Sequence, residues 1–207
     1  MKGEVYGRWE RKELFDFFSG VSDPFYSVSF RLDVTRLYDV CKARGLSFYY
    51  ALVYLSARAI NETPAFSYAL RGGEIVRLAE RRPSFTDLKK GAEQFHIVTM
   101  AADGTMEDFC RAAREKSAAQ TAFIDMSQEG DDLIFLSCLP WLDITALTNE
   151  RDFDPDDAIP RLAWGKYVRR EGRLELGYSV EVNHRFIDGL HIGRFAERLQ
   201  ALIDALI

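Results

Sequence analysis

Cysteine is scarce in this 207-residue chain, and the three present have no pattern. Cys41, Cys110 and Cys138 are an odd number, widely spaced, with no Cys-x-x-Cys pair. That spacing excludes a zinc ribbon or a disulfide framework and suits free thiols in a reducing compartment. No apolar run approaches the roughly 20 residues of a membrane span. The opening Met1-Lys2-Gly3-Glu4 is not followed by the apolar core of a secretory leader. No Lys/Arg run exceeds two residues, and 27 basic against 32 acidic residues leave a net charge of -5. That balance argues against a nucleic-acid partner. It leaves room for a small anionic ligand, since one lysine can serve one phosphate. There is no repeat, linker or low-complexity stretch. A cytoplasmic protein is expected, with one domain over residues 1–207 and neither a membrane nor a nucleic-acid partner.

Aromatics are abundant, with 15 Phe and 9 Tyr. So many large rings must fill a core, an interface or a pocket. Their placement has a readable period. Tyr26, Val28, Phe30, Leu32 and Val34 alternate with Ser27, Ser29, Arg31 and Asp33, the pattern of a half-buried strand. Trp9–Ser19 reads as a short amphipathic helix. Thr35 is expected to cap a second helix that ends at Gly45, and Ser47 a third, more apolar one that stops before Pro64. Arg71-Gly72-Gly73-Glu74 signals a hairpin, and Arg169-Arg170-Glu171-Gly172 a second, between 163–168 and 173–182. Residues 95–101 and the apolar run 133–139 read as strands, and 105–120 and 190–206 as helices. Strands and helices interspersed without a βαβ repeat predict an α/β fold, a two-layer sandwich with a mixed β-sheet covered by helices.

Three histidines are available for chemistry: His96, His184 and His191. His184 falls where a strand gives way to a helix, in Asn183-His184-Arg185-Phe186-Ile187-Asp188-Gly189. Such connections carry functional groups on a rigid frame, and an imidazole near neutrality can take a proton in an attacking step. The spacing alone leaves three readings open. His184 is a base oriented by Asp188, a merely satisfied polar residue, or one of a His184–Asp188–His191 ligand set.

His184-Arg-Phe-Ile-Asp188-Gly189 fits the His-x-x-x-Asp-Gly motif shared by chloramphenicol acetyltransferases and the catalytic domains of dihydrolipoyl acyltransferases. Trp9-Glu10-Arg11-Lys12-Glu13-Leu14-Phe15 resembles the opening of the former. Ser47-Phe48-Tyr49-Tyr50, Ser137-Cys138-Leu139-Pro140-Trp141 and Gly165-Lys166-Tyr167 resemble further family segments, in order, over nearly the whole chain. The sequence therefore resembles the chloramphenicol acetyltransferase family.

The resemblance implies an acetyl-CoA-dependent O-acetyltransferase acting on a small hydroxylated molecule, with no metal and no prosthetic group. It implies a homotrimer with active sites between subunits. His184 would be the general base and Ser137 the donor to the oxyanion. Asp188 would pair with Arg11 instead of orienting the imidazole, whose other nitrogen would bond its own backbone carbonyl. Trp141, Lys166 and Tyr167 would border the CoA tunnel, and His191 would be structural. Ser47 stands where many relatives carry a lysine. On the acceptor side Phe17 and Phe95 agree with the family, while Phe18 replaces a tyrosine. Asn149, Arg151 and Arg161 replace apolar residues, and Ala163 replaces a threonine. Arginines in an apolar slot suggest a reshaped pocket or a more polar, even acidic, acceptor instead of chloramphenicol. A rival reading is a non-catalytic trimer that keeps the pocket for small-molecule binding or sensing.

Overall fold

The computed structural model describes residues 4–5, 9–152 and 154–207. Strands β1 (Glu4–Val5), β3 (Tyr68–Arg71) and β4 (Glu74–Arg77) form a small antiparallel sheet. The main sheet holds β2 (Phe25–Asp33), β5 (Arg82–Asp87), β6 (His96–Thr99), β7 (Leu133–Leu139), β8 (Arg161–Gly165) and β10 (Arg173–Asn183). Its order is β2-β10-β8-β7-β5-β6, with β9 (Val168–Arg170) paired to β10. β7 runs parallel to both β5 and β8, and the other pairings are antiparallel. The sheet is mixed, and its parallel centre coincides with the continuous apolar run of β7.

Register separates the two faces. Val28, Val180, Leu162, Leu136, Phe85 and Val98 form one row across the sheet, and all face the core. One residue further along lies Ser29, Ser179, Ala163 and Ser137, a row of small side chains on the opposite face. α1 (Lys12–Ser19) precedes β2, starting three residues later than the expected Trp9, and the core face is covered by α2 (Thr35–Arg44), α3 (Phe48–Asn61), α4 (Met106–Ala119) and α5 (Gly189–Asp204). α3 packs against each of the other three and is buried almost all round, which accounts for its nearly unbroken apolar sequence. The Ser47 hydroxyl caps it by accepting the Tyr50 amide at 3.3 Å. No helix among the described residues is long and apolar enough to cross a membrane.

Two further expectations shift, and one strand is new. Thr35 is the first helical residue and not the cap. β2 runs straight into α2, so the Asp33 carboxylate takes the Thr35 amide at 2.9 Å, while Thr35 Oγ1 accepts the Leu174 amide at 2.8 Å. The second hairpin turns on Glu171 and Gly172, at φ 46° and 86°, and its expected first strand breaks after Gly165. Lys166 and Tyr167 lie in that break. Finally, β5 carries no alternation that marks it from sequence, because Pro83 and the flanking charges mask it.

The pair Arg81-Arg82 is not a surface cluster. Arg81 is fully buried, and its guanidinium donates to the carbonyls of Phe66, Tyr68, Asp131, Leu133 and Ala158. Burial pulls its pKa down to about 10. Arg82 pairs with Asp132 at 2.8 Å.

The open face is partly covered by the stretch that follows β7. Leu142 and Ile144 lie so close to Gly165 and Gly177 that no side chain fits beneath them. A Cβ on Gly177 would overlap the Ile144 carbonyl oxygen. Gly177→Ala is expected to cost about 2 kcal/mol through overpacking. Thermal unfolding should show a Tm lower by roughly 4–8 °C, and an unchanged Tm would contradict this packing.

Candidate active site

β10 delivers His184 to the edge of the sheet. The His184 amide donates to the Pro24 carbonyl at 2.8 Å, and the turn then leads into α5. The turn is pinned from beneath by residues 155–157. Asn183 Nδ2 donates to the carbonyls of Pro155 and Asp157 at 2.8 and 2.9 Å, and Arg185 reaches the Pro155 carbonyl and Asp156. Arg185 also lies over the Phe15 ring at 4.1 Å. A five-residue turn, 184–188, with this many fixed points can hold one imidazole rotamer with little freedom.

The imidazole packs on two rings. Phe18 stacks on it at 3.9 Å between centroids and 22° between planes, and Tyr26 lies at 4.4 Å. From sequence Tyr26 reads only as a core-facing strand residue, and nothing in the alternation of β2 marks it as part of a site. Phe17 packs edge-on against Phe18 and is 69% exposed. Arg11 grips Asp188 with both terminal nitrogens, Nη2 to Oδ1 at 2.8 Å, and Nη2 also reaches the His184 carbonyl at 3.3 Å. That carbonyl was expected to serve the His184 ring. His184 Nε2 lies 3.7 Å from Asp188 Oδ1, too far for a hydrogen bond.

Electrostatics follow from these contacts. Arg11 holds the Asp188 carboxyl below the usual range. Burial pushes the His184 pKa below 6.5; Asp188 opposes the shift and Arg11 adds to it. The ring is therefore neutral at pH 7 and can accept a proton. His191 Nδ1 accepts the Asp188 amide at 3.0 Å, and burial lowers its pKa too. With Asp188 committed to Arg11 and His191 Nδ1 to an amide, the His184–Asp188–His191 spacing does not converge on a common ligand point.

Ser137 occupies a second location. It lines a cavity of about 890 Å³ on the open face, with Phe95, Phe123, Trp141, Asn149 and Arg161. Among the described residues its hydroxyl has no hydrogen-bond partner. Trp141 is 71% exposed and is no part of the core. Phe95 and Phe123 pair at 5.6 Å. Phe123 carried no sequence signal.

Other positions depart from expectation. Ala163 is fully buried beside Ser137, covered rather than lining the cavity. Arg151 also lies outside the lining. It pairs with Glu181, stands 3.8 Å from Asp157, and lies over the Phe25 ring at 3.3 Å. Arg161 bonds Asp157 at 2.8 Å, and the Asn149 amide donates to Glu181 at 2.8 Å. These arginines are neutralised from within the chain, so they give no support to an acidic acceptor. Lys166 is exposed, while Tyr167 is wedged edge-on between Tyr38 and Phe48.

His184 and Ser137 do not meet within one chain. Ser137 and Ser179 share a row with β8 between them, about 10 Å apart, and His184 lies five residues beyond Ser179, about 17 Å further along. The chain thus presents a base with Phe17 and Phe18 at one place and a serine with an apolar cavity at another.

The profile of the family described as chloramphenicol acetyltransferase matches residues 5–200. The chain belongs to the chloramphenicol acetyltransferase family. That is a family of acyltransferase enzymes. The chain is 28% identical over 197 residues to a chloramphenicol acetyltransferase of Bacillus pumilus, covering 94% of this chain and 90% of that one. A solved chloramphenicol acetyltransferase superposes with a TM-score of 0.90 at 26% identity, over 98% of this chain and all of the other. A probable dihydrolipoamide acetyltransferase from Listeria monocytogenes 4b F2365 shares the fold alone, at TM-score 0.66 and 16% identity, over 98% of this chain and 94% of that one. The mixed-sheet sandwich of this chloramphenicol acetyltransferase relative is thus the family's own.

Removing the Asp188 charge would strand Arg11, whose Nε already lacks a partner. Asp188→Asn is expected to cost about 1–3 kcal/mol and to loosen the turn. Hydrogen exchange at residues 184–188 together with a melting curve tests this; wild-type values in both would refute the assignment of the pair as the turn's anchor.

Proposed function

We propose that the protein is an acetyl-CoA-dependent O-acetyltransferase, working in the cytoplasm as a homotrimer in which His184 of one subunit faces Ser137 of the next. The observation that carries this reading is the separation of two half-sites in one chain, each open and rimmed by exposed aromatic rings. Phe17 borders the base, and Phe95, Phe123 and Trp141 border the serine, all about half exposed or more. Rings left bare in this way suit coverage by a neighbouring copy. The three free thiols suit a reducing compartment.

The chemistry follows from the groups present. Neutral His184 takes the proton of the acceptor hydroxyl as its oxygen attacks the thioester carbonyl. The resulting oxyanion accepts a hydrogen bond from Ser137, whose hydroxyl is otherwise uncommitted. The carbon–sulfur bond then breaks, and the departing CoA thiolate recovers the proton from the imidazolium. Arg11 and Asp188 hold the base in place. Exposed Lys166 supplies a cation for CoA phosphate, while Tyr167 and Trp141 offer rings along the approach. Phe17, Phe18, Phe95, Asn149 and Arg161 surround the acceptor.

The test is thiol release from acetyl-CoA across a panel of alcohols that includes chloramphenicol. His184→Ala is expected to lower kcat by about 10²–10⁴, and Ser137→Ala by about 10²–10³. Because the base must be neutral, kcat/KM should rise with pH through an apparent pKa below 6.5 and then level off. Co-expressing the two variants should restore roughly one quarter of the sites, since each intact site draws one residue from each chain. The particle mass should be three times 23.7 kDa. Acetyl-CoA that binds while no alcohol releases thiol would instead mark a non-catalytic binding protein.

A further inference from the structure

The lining of the Ser137 cavity has a charge pattern opposite to the one its arginines suggest. Asp87, Glu93 and Glu150 face a single cation, Arg161. Arg161 is neutralised by Asp157 at 2.8 Å, outside the cavity, and its guanidinium lies 5.3 Å from the Phe135 ring centre. Glu93 and Glu150 are exposed at the mouth, and among the described residues neither carboxylate has a partner. Asp87 sits less exposed, oriented by Tyr50 Oη at 2.6 Å and by the Leu88 amide at 3.0 Å. Phe95 and Phe123, paired at 5.6 Å, and Trp141 line the same cavity as these carboxylates. Aromatic faces beside unpaired carboxylates attract an ammonium group.

We infer that the acceptor is a cation-bearing alcohol, an amino alcohol whose ammonium is held by Glu93 and Glu150 among these rings while its hydroxyl lies beside Ser137. The inference rests on the acetyl-transfer reading for the fate of the hydroxyl, but the binding preference stands apart from it. Asp87, Glu93 and Glu150 are specificity determinants on this account, and the amine takes no part in the transfer.

Two matched alcohols separate charge from shape. N,N-dimethylphenylalaninol is protonated at pH 7 and cannot be N-acetylated, and 2-benzyl-3-methylbutan-1-ol is its neutral carbon counterpart. Binding of each to the intact protein with CoA present is measured by calorimetry, and kcat/KM by thiol release from acetyl-CoA. The cation should be preferred about tenfold or more, and added salt should shrink the ratio. In the double variant Glu93→Gln/Glu150→Gln, two exposed isosteric changes, the ratio should fall towards one. Equal binding of the two alcohols by the wild type, or a preference that survives in the double variant, overturns the inference. If neither alcohol releases thiol, the transfer reading fails, and the calorimetric ratio still decides the question of charge.

Discussion

One ion pair joins the start of this chain to its last helix and sets the chemistry of the turn between them. Arg11 and Asp188 are separated by most of the sequence, yet two hydrogen bonds lock them side by side. The pair has an electrostatic consequence as well as a mechanical one. An uncompensated carboxylate 3.7 Å from an imidazole would favour its protonated form and so silence it as a base near neutrality. With Arg11 claiming that carboxylate, burial dominates and the ring stays neutral. The geometry looks like a triad in sequence, but it works by keeping the acidic partner occupied.

A second cluster of charges lies on the open face of the sheet, where Glu181, Arg151, Asp157 and Arg161 are all nearly buried. Burying ions is costly unless each is matched, and here each guanidinium meets a carboxylate. The network occupies the rows beside the Ser137 cavity. It replaces what would otherwise be an apolar wall with one that is polar inside and neutral in sum, which leaves the unmatched carboxylates at the mouth to set the cavity's sign.

Much of the fold was legible because it depends on local periods and caps. The run 133–139 became β7 residue for residue, and Ser47 and Gly45 took their expected places at helix ends. The turn around His184 was legible as a break between two periodicities. What was hidden depends on partners far away in sequence. Arg81 looks like any surface arginine until five carbonyls from three stretches of chain close around it. Arg151 and Arg161 looked like an invitation to an acid until Glu181 and Asp157 answered them. β5 escaped because a proline and flanking charges obscure its alternation. A linear pattern gives a residue's own chemistry and its neighbours' spacing, but not who neutralises it.

The stretch 155–157 supports the histidine turn through Asn183 and Arg185 and fixes Arg161 through Asp157. The backbone that seats the His184 turn is therefore also the backbone that shapes one wall of the Ser137 cavity. A substitution within 155–157 therefore disturbs the turn and the cavity wall together. Variants that alter the wall from the side of residues 87–95 and 150 escape that coupling, and they are the easier route by which such a protein could acquire a new preference.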